Sequence, residues 1–84
     1  MKVELSPKVA KYLKALNEPH KSRLKSALKK LSNEPPAGDI RTMSGCDEYR
    51  LRVGNYRILF KIFDEKILVH EIGVRGQIYK RRGL

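Results

Sequence analysis

The first half of the chain has the hydrophobic pattern of a short strand followed by two amphipathic helices. Apolar and charged residues alternate in Met1–Leu5, which predicts the strand. Ser6 and Pro7 predict a helix start, because serine accepts amide hydrogens of the first turn and proline fits its first position. Apolar residues at helical spacing predict helices over about Pro7–Leu16 and Pro19–Ser32. The short break between them favours an antiparallel helix hairpin.

The second half of the chain has a period of two, which is typical of strands. A segment rich in proline and glycine, Asn33–Cys46, predicts a loop between the two halves. Gly54 and Asn55 predict a two-residue hairpin turn, and Asp64 and Glu65 mark a second reversal of the chain. Around these turns the pattern predicts a meander of three strands: Asp47–Val53, Tyr56–Phe63 and Lys66–Val74.

These elements predict one α+β domain over residues 1–84, with a single antiparallel sheet and the helix hairpin on one of its faces. We expect the N-terminal strand to join the same sheet. A chain of 84 residues is too short for a Rossmann enzyme, a TIM barrel or a protein kinase. Because the helices cover one face only, we expect the opposite face of the sheet to be open.

The chain is strongly basic. It contains 19 lysines and arginines against 9 acidic residues, which gives a net charge of +10 at pH 7. Folding does not require this imbalance, and self-repulsion opposes it. We therefore expect an anionic partner, either a nucleic acid or an acidic protein. A basic surface without a partner is the alternative interpretation.

The sequence gives no sign of a metal site, a cofactor site or a membrane segment. Cys46 is the one cysteine, so an intrachain disulfide is excluded, and with two scattered histidines it does not make a zinc site. The apolar runs are too short to cross a bilayer. Met1–Leu5 leads directly into the Ser6 helix start without a secretion signal. We expect a cytoplasmic protein that binds no cofactor.

A two-residue turn fixes the register of the hairpin around it. This register pairs three apolar positions on the core face: Val53 with Tyr56, Leu51 with Ile58, and Tyr49 with Phe60. On the opposite face Arg52 lies directly across from Arg57, and Arg50 is two residues along the strand. Because like charges directly opposite each other destabilise a sheet, the arrangement predicts an anion bound among the three guanidinium groups.

Phosphate is the anion that we favour, since the planar fork of arginine binds two of its oxygens at once. The alternative is a solvated face, on which the arginine side chains extend over apolar neighbours such as Leu59. His70 lies near Leu59 if the second hairpin also has a two-residue turn. That position would suit a general base, although a structural role is the simpler interpretation.

Further basic residues lie outside this hairpin. Arg75 and Tyr79 follow the last strand, and connectivity suggests that both fold back over the same face. Tyr79 has the chemistry to stack on a base or to transfer a proton, or else covers the edge of the core. Two basic groups are candidates for contact with RNA or the ribosome, or are simply solvated: Lys21, Lys25 and Lys29 on the second helix, and Lys80, Arg81 and Arg82 near the end.

The segment Tyr49–Phe60, YRLRVGNYRILF, followed by Asp64–Lys66, an apolar strand, Arg75 and Tyr79, resembles the RelE toxins of prokaryotic toxin–antitoxin pairs. The likeness covers nearly the whole chain, because the upstream strand, helix hairpin and loop with Gly45 match in outline. Its most specific part is the motif YRLRVGNYR. The resemblance implies the RelE-like fold.

The resemblance also implies an activity and two kinds of partner. RelE-like toxins are ribosome-dependent endoribonucleases that cut mRNA in the decoding site without a metal and thereby inhibit translation. The 2′-OH of the mRNA attacks the adjacent phosphate and leaves a cyclic phosphate and a free 5′-OH. The implied partners are the ribosome with its mRNA and a RelB-like antitoxin whose toxin-binding segment is acidic.

The catalytic residues of the family correspond to Arg50, Arg52, Arg57, Arg75 and Tyr79. Arg57 is the first candidate for stabilising the extra charge of the phosphorane, with Arg50 and Arg52 flanking it. Tyr79 is a better base than any arginine, because a guanidinium does not readily lose its proton. Arg75 is the candidate that assists the leaving group. Some family members have lysines at the positions of Arg50 and Arg52.

Two other functions fit the same features. ParE-like toxins share the architecture but poison DNA gyrase without cutting RNA. The presence of Arg50, Arg52, Arg57 and Tyr79 favours the nuclease. A basic domain that binds RNA without cleaving it is the third interpretation, and it would show a steep salt dependence and no product.

Overall fold

The computed structural model of the chain describes residues 1–33, 35–42 and 48–74. Within these ranges two helices and five strands follow one another: β1 Lys2–Leu5, α1 Pro7–Ala15, α2 His20–Leu31, β2 Asp39–Thr42, β3 Glu48–Val53, β4 Tyr56–Phe63 and β5 Lys66–Val74. The α+β class, the order of strand and helices, and the three-strand meander are confirmed.

The five strands form one mixed sheet in the order β1-β5-β4-β3-β2. The prediction of a wholly antiparallel sheet is wrong at one pair, since β1 runs parallel to β5 and pairs Val3 with Ile67. The meander leaves an edge of β5 unpaired, and β1 fills it. Parallel neighbours need a long crossover connection, which the helices and the rest of the meander supply here.

Strand β2 lies in the segment that the sequence predicts as a loop. It pairs antiparallel with β3, and Ile40 is opposite Leu51. A segment of four residues with one large apolar side chain is too short for its own pattern to predict a strand. The pairing with β3, which is distant in sequence, is what makes this segment a strand.

Two tight turns set the register of the meander. Gly54 has φ 58° and Asn55 does not have a positive φ, which is a type II′ turn. Asp64 and Glu65 have φ 51° and 60°, as a type I′ turn requires. The predicted register of the first hairpin is confirmed, with Arg52 opposite Arg57.

At the start of each helix a nearby side chain accepts a hydrogen bond from a backbone amide of the first turn. The Ser6 hydroxyl accepts a hydrogen bond from the Val9 amide at 3.2 Å, and Pro7 occupies the first helical position. At the start of α2 the Glu18 carboxylate accepts a hydrogen bond from the Ser22 amide at 2.9 Å. The hydrogen bonds from Ser22 lower the pKa of Glu18 below its ordinary value. The negative charge of Glu18 therefore stabilises the N-terminus of α2.

The core lies between the two helices and one face of the sheet. Tyr49 and Phe60 stack across β3 and β4 with ring centroids 5.4 Å apart. The fully buried side chains come from both layers: Val9, Leu24 and Leu31 from the helices, and Leu51, Ile58, Phe60, Ile67, Val69 and Ile72 from the sheet. This packing fixes which sheet face remains for polar chemistry.

Gly38, which directly precedes β2, lies close to the core residue Leu51. Its φ is 131°, and a Cβ added there would lie 2.7 Å from Cδ1 of Leu51. We expect Gly38→Ala to lower the free energy of unfolding by about 1–3 kcal/mol, because either the backbone or Leu51 must move. Urea denaturation followed by circular dichroism measures this.

The control is the same substitution in a Leu51→Val background, where the clashing methyl group is absent. Gly38→Ala should then lower stability by less than it does in the parent chain. An equal loss in both backgrounds would contradict the role of the Leu51 contact.

Candidate functional site: an arginine patch on the sheet

The sheet face opposite the helices brings together arginines from three strands. Arg52 on β3 lies across from Arg57 on β4, as predicted, and Arg50 follows on the same face. Strand β2 adds Arg41, which lies directly across from Arg50. These four residues, Arg41, Arg50, Arg52 and Arg57, are called the arginine patch below. It contains two like-charge pairs at directly opposed positions, which destabilise a sheet in the absence of an anion.

Asp39 contributes a carboxylate to the arginine patch. Arg52 Nε donates a hydrogen bond to Asp39 Oδ2 at 2.7 Å, and Arg41 Nε lies 3.8 Å from Asp39 Oδ1. The hydrogen bond from Arg52, followed by the charges of Arg52, Arg41 and Arg50, holds the pKa of Asp39 below its ordinary value. Asp39 is therefore ionised at neutral pH and orients Arg52, while the patch as a whole stays positive.

Sequence reasoning missed Asp39 and Arg41 because their segment was predicted to be a loop. The alternation in Asp39–Thr42, with Ile40 between two charged residues, is the signal that was available. Only the pairing with β3 shows that Asp39 faces Arg52 and that Arg41 faces Arg50. The number of cations in the patch was therefore underestimated.

The prediction that this face is open is wrong at its centre. The exposed fraction is 0% for Leu59, 3% for Arg57, 6% for Glu71 and 8% for Glu48. The physical reason is Leu59, whose side chain would expose apolar surface in the middle of the face if it were left uncovered. Arg52 and Arg41, nearer the β2 edge, are exposed.

A bulge places two titratable side chains beside this buried centre. Phe60 pairs with Val69 but Leu59 pairs with Glu71, so His70 is an extra residue in β5. The second hairpin has a two-residue turn, which is the condition under which His70 was expected near Leu59. Because of the bulge, however, the residue paired with Leu59 is Glu71 and not His70. The physical reason is that the inserted residue shifts the register by one from this point onward.

The buried carboxylates around Leu59 each have a nitrogen-bearing side chain close by. His70 Nε2 lies 3.1 Å from Glu48 Oε2, and Lys8 Nζ at the start of α1 lies 2.9 Å from Glu71 Oε2. Both carboxylates are nearly fully buried, so their partners offset a large desolvation penalty. These pairs explain how polar residues are retained under the centre of this face.

Arg57 differs from these residues. Its Nη1 makes a long hydrogen bond of 3.4 Å to the Tyr56 carbonyl, and no carboxylate within the described ranges forms an ion pair with it. Its Nε is buried and has no hydrogen-bond partner there. A buried guanidinium with so few partners gives the patch a strong positive potential.

The remaining predicted site residues lie elsewhere. Lys21, Lys25 and Lys29 belong to α2, which packs on the other face of the sheet, so the structure does not bring them to the arginine patch. Five predicted residues lie outside the described residues: Arg75, Tyr79, Lys80, Arg81 and Arg82. Their roles remain predictions from the sequence.

Two absences apply to the described part of the chain. Residues 1–33, 35–42 and 48–74 hold no cluster of three or more His, Cys, Asp or Glu side chains placed to bind a metal ion. Over the same ranges no helix is both long and apolar enough to span a membrane.

We expect Asp39→Asn to strengthen RNA binding, because it weakens the hold on Arg52 and removes a negative charge from the patch. Affinity for a short single-stranded RNA should rise about three- to tenfold at fixed salt. Fluorescence anisotropy measures the change. Glu65→Gln, which removes one charge at the distant β4–β5 turn, is the matched control and should alter affinity much less. An equal gain in both variants would show that only net charge matters.

Comparison with known proteins gives one family and a set of structural neighbours. A family model described as the ParE toxin of the type II toxin–antitoxin system parDE matches residues 3–79. No curated protein matches the sequence significantly.

The structural neighbours are RelE toxins. The chain is 25% identical to a chain of the RelB-RelE antitoxin–toxin complex from Methanococcus jannaschii, covering 92% of this chain and 95% of that one, with a TM-score of 0.74. For the archaeal RelE-RelB complex from Pyrococcus horikoshii OT3 the identity is 27%, the coverage 90% and 96%, and the TM-score 0.77. For the intact E. coli RelBE toxin–antitoxin complex the identity is 20%, the coverage is 87% of this chain and 94% of that one, and the TM-score is 0.72.

The fold of this chain therefore has counterparts in solved RelE complexes. The family match extends over most of the chain, and the neighbours share its fold over nearly their whole length. This chain belongs to the RelE/ParE superfamily of type II toxins.

Proposed function

We propose that this toxin is a ribosome-dependent endoribonuclease that cuts mRNA in the decoding site and so inhibits translation. The observation that carries the proposal is the arginine patch, in which Arg41 opposes Arg50 and Arg52 opposes Arg57. Two like-charge pairs at adjacent positions favour a site for a highly charged anion. The phosphate of an RNA strand is such an anion.

Cleavage of RNA is accelerated by positive charge at the position where negative charge develops during the reaction. The 2′-OH loses its proton and its oxygen bonds to the adjacent phosphorus, while the bond from phosphorus to the 5′-oxygen breaks and that oxygen gains a proton. The phosphorane between these steps carries more negative charge than the diester. Fixed guanidinium groups stabilise that state more than the ground state, and this difference accelerates the reaction.

The arginines of the patch have different parts in this proposal. Arg52 is exposed and hydrogen-bonded to Asp39, and we assign to it the direct contact with a phosphate oxygen. Arg50 is next to it on the same face. Arg57 is buried beneath them, and its charge raises the potential at the phosphorane.

Proton transfer needs other residues, since guanidinium groups keep their protons. We assign the base to Tyr79 and assistance of the leaving group to Arg75, on the resemblance to RelE toxins. Positive charge around a phenol favours its phenolate and thus its role as base.

The partners follow from the same proposal. The solved neighbours from Methanococcus jannaschii and Pyrococcus horikoshii are complexes of RelE with RelB. We propose that a RelB-like antitoxin with an acidic segment binds this toxin in the cytoplasm and neutralises part of its charge. Contact with the ribosome is assigned to the basic groups outside the patch: Lys21, Lys25, Lys29, Lys80, Arg81 and Arg82.

A second candidate function is inhibition of DNA gyrase without RNA cleavage. The observation that favours it is the match of residues 3–79 to the ParE toxin family model. In that case the arginine patch would contact a protein or DNA surface and would need no proton-transfer residue.

The decisive experiment is primer extension on mRNA bound to programmed ribosomes, without added metal. We expect the wild type to create a new 5′ end in the decoding site, and Arg52→Ala or Arg57→Ala to slow this at least about 100-fold. Lys2→Ala, which removes one exposed charge from β1, is the matched control and should cut normally.

Full cleavage by a folded Arg57→Ala protein would remove Arg57 from the mechanism. If the folded wild type cuts nothing but inhibits supercoiling by gyrase, the second candidate function is correct and the nuclease proposal is wrong.

Tyr79→Phe tests the assignment of the base. Loss of the hydroxyl should slow cleavage by about 100-fold or more while binding to ribosomes is retained, because general-base catalysis contributes that order of magnitude. Single-turnover cleavage kinetics measure the rate. Tyr12→Phe on α1 is the control for a hydroxyl remote from the patch. An unchanged rate in Tyr79→Phe would leave the ring only a stacking or packing role.

A further inference from the structure

A second basic site lies beside the arginine patch, in a cleft between α2 and the edge formed by β2 and β3. The cleft has a volume of about 460 Å³, within the range of about 300–1,000 Å³ typical of small-molecule sites. Its cations are Arg23 and Lys30 from α2 and Arg52 from β3. None of the functions assigned above uses Arg23 or Lys30.

Helix α2 carries two separate basic edges. Arg23, Ser26 and Lys30 recur at helical spacing and line the cleft. Lys21 and Lys25 line a different hollow, on the α1 side of the helix. The buried face with Leu24 and Leu28 separates the two edges. The cleft is therefore a surface of its own and not an extension of the predicted lysine stripe.

The lining of the cleft has an apolar part, called the floor below, and a polar part, called the rim. Ala27, Leu51 and Val53 form the floor, and Leu51 is almost fully buried. Gly38 lies close against Leu51 and has no side chain to fill this space. Ser26 contributes a hydroxyl at the rim. A flat apolar group fits the floor while hydrogen-bonding groups reach the rim.

The side chain of Arg23 lies beside the β3–β4 turn. Its Nη2 would lie 3.1 Å from a Cβ on Gly54, so the guanidinium rests against the glycine backbone. Within the described ranges neither Arg23 nor Lys30 forms an ion pair with a carboxylate. Asp39 also lines the cleft, where its carboxylate accepts the hydrogen bond from Arg52. Arg23 and Lys30 therefore add two positive charges that Asp39 does not pair, and the arginine fork suits phosphate.

We infer that this cleft binds one nucleotide of a single RNA strand, with the base on the floor and the phosphate between Arg23 and Lys30. Arg52 belongs both to the cleft and to the arginine patch, so the strand passes from the patch into the cleft over the sheet edge at Asp39, the β2 residue paired with Arg52. The route over this edge rests on the proposed nuclease function. The nucleotide site itself rests on the charges and shape of the cleft.

The test is a titration of the ¹⁵N-labelled toxin with adenosine 5′-monophosphate, followed by NMR, with inorganic phosphate as a second probe. The nucleotide should shift amide signals of the cleft, at Arg23, Ala27, Leu51 and Val53, more than phosphate does. The double variant Arg23→Ala/Lys30→Ala should bind about tenfold more weakly, because two charge-assisted contacts are lost.

Two variants make the comparison specific. Lys11→Ala/Lys14→Ala removes the same charge from α1, outside the cleft, and should bind the nucleotide as the wild type does. Ser26→Leu fills the cleft at an exposed helix position and keeps both cations. It should weaken binding of the nucleotide while phosphate binding is retained.

Three results would overturn the inference: no nucleotide shifts in the cleft, equal weakening in the two double variants, or stronger shifts at the same amides with hexaglutamate. The last result would identify a protein-binding surface. Because adenosine 5′-monophosphate has no phosphodiester bond, the titration is independent of nuclease activity. If the toxin cleaves mRNA but shows none of these shifts, the proposed function stands and the nucleotide site in the cleft is refuted.

Discussion

The register of the β3–β4 hairpin is the constraint on which the rest of the structure depends. The Gly54-Asn55 turn sets it, and a shift by one residue would exchange the two faces of the sheet. In the observed register Leu51 and Ile58 face the helices, whereas Arg52 and Arg57 face away from them. One turn therefore builds the core and the arginine patch together. The stability of the fold and the position of the charges cannot be changed separately.

The same register places like charges opposite each other, and a bound anion reduces their repulsion. Arg52 and Arg57 are directly opposed, and β2 adds the opposed pair Arg41 and Arg50. Asp39 compensates only part of this charge, because its carboxylate is bonded mainly to Arg52. A partner that binds only the folded chain stabilises it by mass action. The two partners proposed above, an RNA strand and an acidic antitoxin segment, would each supply such negative charge.

Sequence reasoning reached the hairpin and its arginines because both depend on local chemistry. The turn residues and the alternation around them determine which side chains oppose one another, and Arg52 opposite Arg57 follows from counting. Strand β2 was not predictable in this way, since four residues hold too little pattern and the pairing partner is distant. Its residues Asp39 and Arg41 were therefore missed. The bulge at His70 was equally hidden, because one inserted residue leaves the alternation on both sides unchanged.

Local sequence is enough to predict the two helices, four of the five strands, the charge and the core hairpin, since helix caps, turns and periodicity act over a few residues. Other features follow from tertiary packing: β1 pairs parallel to β5, Leu59 and Arg57 are buried, and Arg23 of α2 lies against Gly54. These features arise where segments far apart in sequence compete for the same space. Their outcome depends on packing over the whole chain, which no local pattern encodes.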